Sequence, residues 1–381
     1  LASLLEVIEH KRKVLNHLKN LISNDRLKRA NNDYHAKREP RDCGLTIHPG
    51  IGCVYECTYC YIKDMGFPFD KISPYPLTGL ELAYAVSKNP NVALGKEGTY
   101  LAIGSITEPF HPAILNRTLE YFKAISTYLK NHTQVSTKAY ISLKLAKDLR
   151  SLMPRLSVLV TIIDIDGRLE PKAPSPKLRF ESIANLSKVG YRVALFLRPI
   201  IPGHSDRVLN ELLELAKSYG AEGVVAGTLR VTKDILERLR DAGLDLSYIV
   251  SRLRRLPSGR KQIPIMISDL KGRVAKLCDR LGLNYYPTAC AANASHYDEV
   301  CWDSCKFNRE LCDELPNVDV DELRNSLREL IGVRELSISV EDWLIVIKSD
   351  TYIPKNYLYL IQAIYKRHVI AKTRGKVLST M

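Results

Sequence analysis

The sequence predicts an α/β fold whose parallel sheet is rolled into a partial barrel of six strand–helix units. Three observations point there. Short runs rich in β-branched residues alternate with amphipathic helical stretches, and each crossover holds one helix, the pattern of parallel strands. Six such units can be counted but no clear seventh or eighth, so the barrel is open rather than closed. A loop carrying three cysteines follows the first strand directly, and in such folds the chemistry gathers at the carboxyl ends of the strands.

Taken in order, residues 1–42 form a basic helical leader. Leu4, Leu5, Ile8, Leu15, Leu18 and Leu21 share one face, with lysines and arginines opposite. The barrel is expected over 43–230. Its strands are "LTIHP" (45–49), "TYLAIG" (99–104), "TQVSTK" (133–138), "LSVLVTI" (156–162), "RVALFLRP" (192–199) and "GVVAGT" (223–228). The stretch 231–315 holds a basic loop, "SRLRRLPSGRKQIP", then a helix, "SDLKGRVAKLCDRLGL", and a cysteine-rich segment. Residues 316–381 read as a small basic α/β unit. There, two helices flank the strands "RELSISV" and "WLIVIKS", and a basic end follows.

The chain of 381 residues has room for one large domain and an appendage. Its formal charge of +14 attracts phosphate-rich partners through counterion release. There is no apolar run of about eighteen residues and no signal peptide, so no membrane span and a cytoplasmic location are expected. In that compartment nine cysteines read as metal ligands or reduced thiols rather than disulfides.

Three of those cysteines, Cys53, Cys57 and Cys60, lie in "GCVYECTYCYIKDMG". Chance placement of a C-x3-C-x2-C pattern has a probability of roughly 0.005 at this cysteine content. A structural zinc needs a fourth ligand, for which His48 is available at an unusual spacing. A [4Fe–4S] cube held by three thiolates instead leaves one iron open to a small molecule.

With the aromatic Tyr59 just before the last cysteine, this motif resembles that of the radical S-adenosylmethionine (radical SAM) superfamily. "GSITEPFHP" (104–112), "VSTKAYISLKLAKDL" (135–149) and "EPKAPSPKLRFESIANLSKVGYRVALFLRPIIPGHSD" (170–206) are similar to segments of its spore photoproduct lyase-like branch. The resemblance runs from about Gly44 to Gly227, roughly half the chain. It implies a [4Fe–4S] cluster on Cys53, Cys57 and Cys60 whose open iron is chelated by SAM. One electron through the cluster then yields methionine and a 5′-deoxyadenosyl radical that takes a hydrogen atom from the substrate. It further implies that Tyr59, Ser105, Thr107, Glu108, Lys138, Thr161 and Arg198 bind the cofactor. Ser105, Thr107 and Glu108 would sit near the methionine moiety, Lys138 near its carboxylate, and Arg198 near SAM or substrate. A nucleic acid substrate, DNA or RNA, and an electron donor such as ferredoxin or flavodoxin follow from the same resemblance. One departure stands out: the branch's hydrogen-donating cysteine is missing from "LAIGSIT" (101–107), and no cysteine occurs between Cys60 and Cys278.

A second group, Cys290, Cys301, Cys305 and Cys312, suffices in number for a second [4Fe–4S] cluster or a zinc site. Cys278 is expected to be buried on its helix, and Cys43 has the same bland reading beside an open redox role. The last residues interleave Lys355, Lys366, Arg367, Lys372, Arg374 and Lys376 with Tyr352, Tyr357, Tyr359 and Tyr365, a pattern that suits stacked bases or an ordinary packed helix equally. With Arg252, Arg254, Arg255, Arg260 and Lys261 they make two basic clusters. The expected function is therefore a radical SAM enzyme of nucleic acid repair or modification. The alternatives are a maturase of a peptide or protein with an auxiliary cluster, and a nucleic-acid-binding protein whose clusters are structural.

Overall fold

The computed structural model describes residues 2–41, 44–373 and 376–380. Its central sheet has seven parallel strands in simple sequence order: β1 (Gly44–Ile47), β2 (Tyr100–Ile103), β3 (Thr133–Thr137), β4 (Ser157–Thr161), β5 (Arg192–Ile200), β6 (Gly223–Thr228) and β7 (Asn284–Tyr286). The six expected strands are all present. The seventh, beside β6, comes from the stretch expected to lie outside the barrel. Three residues, Asn284, Tyr285 and Tyr286, are too few to show a strand pattern in sequence.

Strand β4 is buried at every position and β6 at all but its last, as parallel strands covered on both faces must be. One face packs against the crossover helices α3 (Gly79–Lys88), α4 (Leu115–Ala124), α5 (Leu143–Leu152), α6 (Pro176–Lys188) and α7 (Leu209–Ser218), followed by α8 (Lys233–Asp241) and α9 (Ser268–Leu281). The other face is plugged by α10 (Ala289–His296), "ACAANASH". Its Ala291 and Ala292 pack on Leu159, Ala194 and Val225. Small side chains let this helix enter the barrel. Polar contacts fix it: Gln134 Nε2 donates to the Ala289 carbonyl at 2.9 Å, and Ser157 Oγ meets His296 Nδ1 at 2.9 Å.

The leader is two helices, α1 (Leu4–Asn20) and α2 (Asn24–Asn32). Ser3 and Glu6 form a capping box that starts α1. Leu4 and Leu18 are fully buried, whereas Leu21, just past the helix end, is 46% exposed, so the apolar face stops where the helix does. The leader's cations dock it. Lys11 donates to the carbonyls of Asn89 and Val92, and Arg26 and Arg29 both pair with the buried Glu81.

Beyond the barrel, the short helix α11 (Trp302–Phe307) precedes a second unit. That unit contains α12 (Val320–Ile331), β8 (Leu336–Glu341), β9 (Leu344–Ser349), α13 (Lys355–Tyr365), β10 (His368–Thr373) and β11 (Lys376–Ser379). Its strands run in the order β8-β9-β10-β11, with β9 and β10 parallel across α13. Leu4 and Val7 of α1 join its core, so the leader ties the second unit to the barrel. The expected basic end is thus two strands. Three of the six cations named there are taken up by the fold: Lys366 is buried and donates to the carbonyls of Glu97 (3.1 Å) and Gly98 (3.0 Å), Arg367 donates to the carbonyls of Asp342 and Pro316, and Lys355 pairs with Glu39. Tyr359 and Tyr365 are buried, Tyr357 is half-buried and Tyr352 is exposed. Arg374 lies outside the described residues. Among the described residues no helix is long and apolar enough to cross a membrane.

Candidate active site

The loop after β1 carries Cys53, Cys57 and Cys60 to the carboxyl end of the sheet, where all three line one cavity of about 310 Å³. Every other residue expected to bind the cofactor also lines it: Tyr59, Ser105, Thr107, Glu108, Lys138, Thr161 and Arg198. They converge because each lies on the loop after its strand or at the strand's carboxyl end, and parallel strands present those ends together.

The cysteine loop is held from both sides. The Thr58 backbone N–H and Oγ1 donate to the Leu169 carbonyl at 2.9 and 3.2 Å. From α8, the Arg238 guanidinium donates to the carbonyls of Cys57 (3.2 Å) and Cys60 (2.8 Å) while pairing with Asp234. At the end of β2, Gly104 has φ +107°, and a Cβ there would fall 2.3 Å from the Ser136 carbonyl oxygen, so only glycine permits this turn toward the cavity.

Glu108 is buried and spends its carboxylate on the fold. It accepts from Thr137 Oγ1 (2.5 Å), the Lys138 backbone N–H (2.8 Å) and the Phe110 backbone N–H (3.2 Å). Burial nevertheless raises its pKa. The Ser105 carbonyl accepts from the Tyr61 hydroxyl at 2.8 Å. Thr107 Oγ1 is buried and has no hydrogen-bond partner among the described residues, a polar atom left for a ligand to satisfy. Lys138 remains charged: burial works against its ammonium, but Cys57 and Glu170 outweigh it and raise its pKa. Arg198 and Arg230, at the ends of β5 and β6, also line the cavity, and neither has an ion-pair partner among the described residues. The Arg198 stem lies across Gly227, where a Cβ would come within 2.3 Å of its Cγ.

Do these residues fit an iron–sulfur cube? Burial holds the Cys53 thiol up at about 11 and also raises Cys57 and Cys60, so the thiolates need a cation beside them. A single zinc holds its sulfurs about 3.8 Å apart, given Zn–S bonds of about 2.3 Å. Among the described residues only Asp164, Asp166 and His204 bring three ligand atoms within 4.8 Å of one another. Cys53, Cys57 and Cys60 are not such a group, so at least one pair of their sulfurs lies beyond 4.8 Å, a spread that suits the separate corners of a cube. His48 belongs elsewhere, in an aromatic cluster with Tyr34, His35 and Tyr75, and it supplies no fourth ligand. The Asp164 group is joined by protein contacts: His204 Nε2 lies 2.8 Å from Asp164, and the Arg168 guanidinium lies 3.1 Å from His204 Nδ1.

The second cysteine group does not assemble as expected. Cys305 and Cys312 are joined in a disulfide, their Cα atoms 4.8 Å apart, and pack with Leu315 and Trp343. Cys301 packs with Tyr100 and Ala294, and Cys290 sits on α10, the helix inside the barrel. The cause is topological, since α10 packs Ala291 and Ala292 into the barrel while Cys305 and Cys312 lie in a separate small cluster with Leu315. Cys278 is buried, and burial pushes its thiol to about 12. Cys43 lies outside the described residues. The cavity lining holds Tyr55, Tyr59 and Tyr61 but no thiol beyond the three of the motif. Glu170, Arg179 and Arg238, all of which touch the loop or its supports, escape the sequence reading because their partners are remote in the chain.

No family model matches the chain. It is 23% identical over 224 residues to the uncharacterized protein ORF301 of Acidianus two-tailed virus, covering 55% of this chain and 72% of that one. It is 26% identical over 205 residues to the uncharacterized protein MJ0683 of Methanocaldococcus jannaschii, covering 50% and 74%. Among solved structures, a variant of spore photoproduct lyase superposes with a TM-score of 0.52 at 16% identity, covering 63% of this chain and 75% of that chain. Spore photoproduct lyase complexed with dinucleoside spore photoproduct gives 0.50 at 16% identity, covering 62% and 74%. A variant with bound AdoMet and the same dinucleoside gives 0.50 at 15% identity, covering 63% and 75%. The chain shares the fold of spore photoproduct lyase.

Proposed function

We propose that the protein is a radical SAM enzyme acting on nucleic acid. The observation that carries the first half is the convergence of three thiols and seven polar or aromatic side chains on one cavity at the carboxyl end of a parallel sheet. Cys53, Cys57 and Cys60 would hold a [4Fe–4S] cluster with one iron open to SAM. When bound, the pair supplies one-electron cleavage of the sulfonium and a 5′-deoxyadenosyl radical for hydrogen abstraction. The chain's own part is to bind, orient and shield. Lys138 offers an ammonium to a carboxylate, and Thr107 Oγ1 offers an unfilled hydrogen bond. Tyr55, Tyr59 and Tyr61 wall the cavity with apolar surface that excludes water.

Support for a nucleic acid substrate comes from charge at the cavity mouth. Arg198 and Arg230 face the cavity from β5 and β6, and Lys271 on α9 has its pKa lowered by burial and by the neighbouring Arg198 charge. Residues 230–231 pair with 263–264, so the basic loop between α8 and α9 springs from the cavity rim. On that loop the side chains of Arg254, Arg255, Arg260 and Lys261 are exposed and have no ion pair among the described residues. Unneutralised cations running outward from a reaction cavity suit a phosphodiester chain. The spore photoproduct lyase structures that hold a dinucleoside photoproduct lend the same reading support by fold. The missing donor cysteine argues for a chemistry other than photoproduct reversal, so the substrate is a different nucleotide target.

The test is an anaerobic assay of reconstituted protein with dithionite, SAM and either single-stranded DNA or RNA. Release of 5′-deoxyadenosine that rises with one nucleic acid supports both halves of the reading. Release that no nucleic acid alters contradicts the second half.

A further inference from the structure

The string "EPKAPSP" (170–176) follows β4 and has no role that sequence alone assigns. Its far end starts α6: Ser175 Oγ accepts from the Leu178 backbone N–H, and Pro176 occupies the first helical turn. Its near end lies against the cysteine loop, where the Leu169 carbonyl takes both Thr58 hydrogen bonds. The next residue, Glu170, is 2% exposed. One of its carboxylate oxygens accepts from the Tyr59 hydroxyl, and the other pairs with the Arg179 guanidinium. Arg179 is itself fully buried and donates to the Thr161 carbonyl at 2.9 Å. The Lys138 ammonium stands 4.0 Å from Glu170 Oε1 and 5.7 Å from the Tyr59 ring centroid.

One buried carboxylate therefore touches or neighbours the aromatic residue between the last two cysteines, the cation at the end of β3, and, through Arg179, the end of β4. Such a group is expensive to bury unless paired, and here two cations surround it. Its charge has an electrostatic consequence. Lys138 and Arg179 alone would place two positive charges beside Cys57; with Glu170 the local excess is one. In a low-dielectric interior that difference is felt strongly by any redox centre on the cysteines.

We propose that Glu170 is a positioning residue. It fixes Tyr59 and Lys138 against the three-cysteine centre and lowers the positive field there, so that the centre is a stronger reductant than it would be without the carboxylate. This inference rests on the radical SAM reading above, and it assigns the Glu-Pro-Lys-Ala-Pro-Ser-Pro loop the task of supporting the cysteine loop from below.

The experiment uses the full chain reconstituted with iron and sulfide, comparing wild type with Glu170→Gln, Glu170→Asp and Arg179→Gln. Iron content, the electron paramagnetic resonance spectrum with and without SAM, and the midpoint potential are read for each. Glu170→Gln is expected to retain iron, to shift the potential upward, and to change the SAM-dependent spectrum. Arg179→Gln is expected to shift the potential downward, and Glu170→Asp, which keeps the charge, to restore it toward wild type. A general loosening of the fold would move both Gln variants in the same direction, and that result overturns the proposal. So does a Glu170→Gln protein indistinguishable from wild type. If Glu170→Gln does not fold, the other two variants decide the matter: a downward shift in Arg179→Gln with Glu170→Asp near wild type supports the proposal, and an unshifted or raised potential in Arg179→Gln overturns it. A wild-type protein that takes up no cluster defeats the underlying reading instead, so the two failures are distinguishable.

Discussion

The Lys138 ammonium stands 5.7 Å from the centroid of the Tyr59 ring, which places the cation at the end of β3 beside the aromatic residue of the cysteine motif. Nothing in sequence distance brings them together; the parallel sheet does.

If Lys138 meets the carboxylate of SAM, Lys138→Met removes a charge-assisted hydrogen bond of about 1.5–3 kcal/mol. The expected result is a KM for SAM raised by roughly 10-fold or more, with iron content unchanged. Titration of SAM into the reduced protein, followed by the cluster's spectrum, measures the affinity directly.

The basic loop makes a different prediction. Replacing Arg254, Arg255, Arg260 and Lys261 together with alanine should weaken nucleic acid binding alike for all sequences. Each phosphate contact contributes a slope of about −0.7 to −0.9 in log K against log salt, so the slope should fall by roughly 3 units. Binding isotherms at several salt concentrations check it.

Lys366 looked in sequence like part of a nucleic-acid-binding tail, yet it is buried against two carbonyls, with Glu299 3.8 Å away. Lys366→Met should therefore destabilise the fold by about 2 kcal/mol and leave nucleic acid affinity at its wild-type value. Thermal melting and a binding assay on the same sample separate the two effects.

Acid sensitivity should depend on Glu222, which links β5, β7 and α10. Burial works against its charge, but His296, Arg192 and Tyr286 outweigh it and depress its pKa to about 2. A carboxylate with a depressed folded-state pKa contributes stability that is full above its unfolded value of about 4.3 and is lost as pH falls through its folded value. Denaturant midpoints measured between about pH 4.5 and pH 2 should fall for wild type. For Glu222→Gln they should fall less steeply, from a lower starting stability.

How much of this was legible beforehand follows from how local each signal is. Six strands were readable because each is a continuous run such as "LSVLVTI", and the meeting of the candidate residues on one cavity was readable because they sit at strand ends. β7 was not, since three residues carry no period. The role of Glu170 was not either: its bond to Tyr59 spans 111 positions. Counting cations in 352–381 overstated the binding surface, because a charge in sequence says nothing of the carbonyls that take it up. The cysteine count likewise could not reveal that α10 would enter the barrel with Cys290 while Cys305 and Cys312 pair outside it.

The most direct test of the central claim is the product analysis of oxygen-protected, reconstituted protein mixed with SAM and dithionite. Wild type should release 5′-deoxyadenosine and methionine, and Cys57→Ala should release neither and retain little iron at the motif. A wild type that carries a single divalent ion on the three thiols and leaves SAM intact would contradict it.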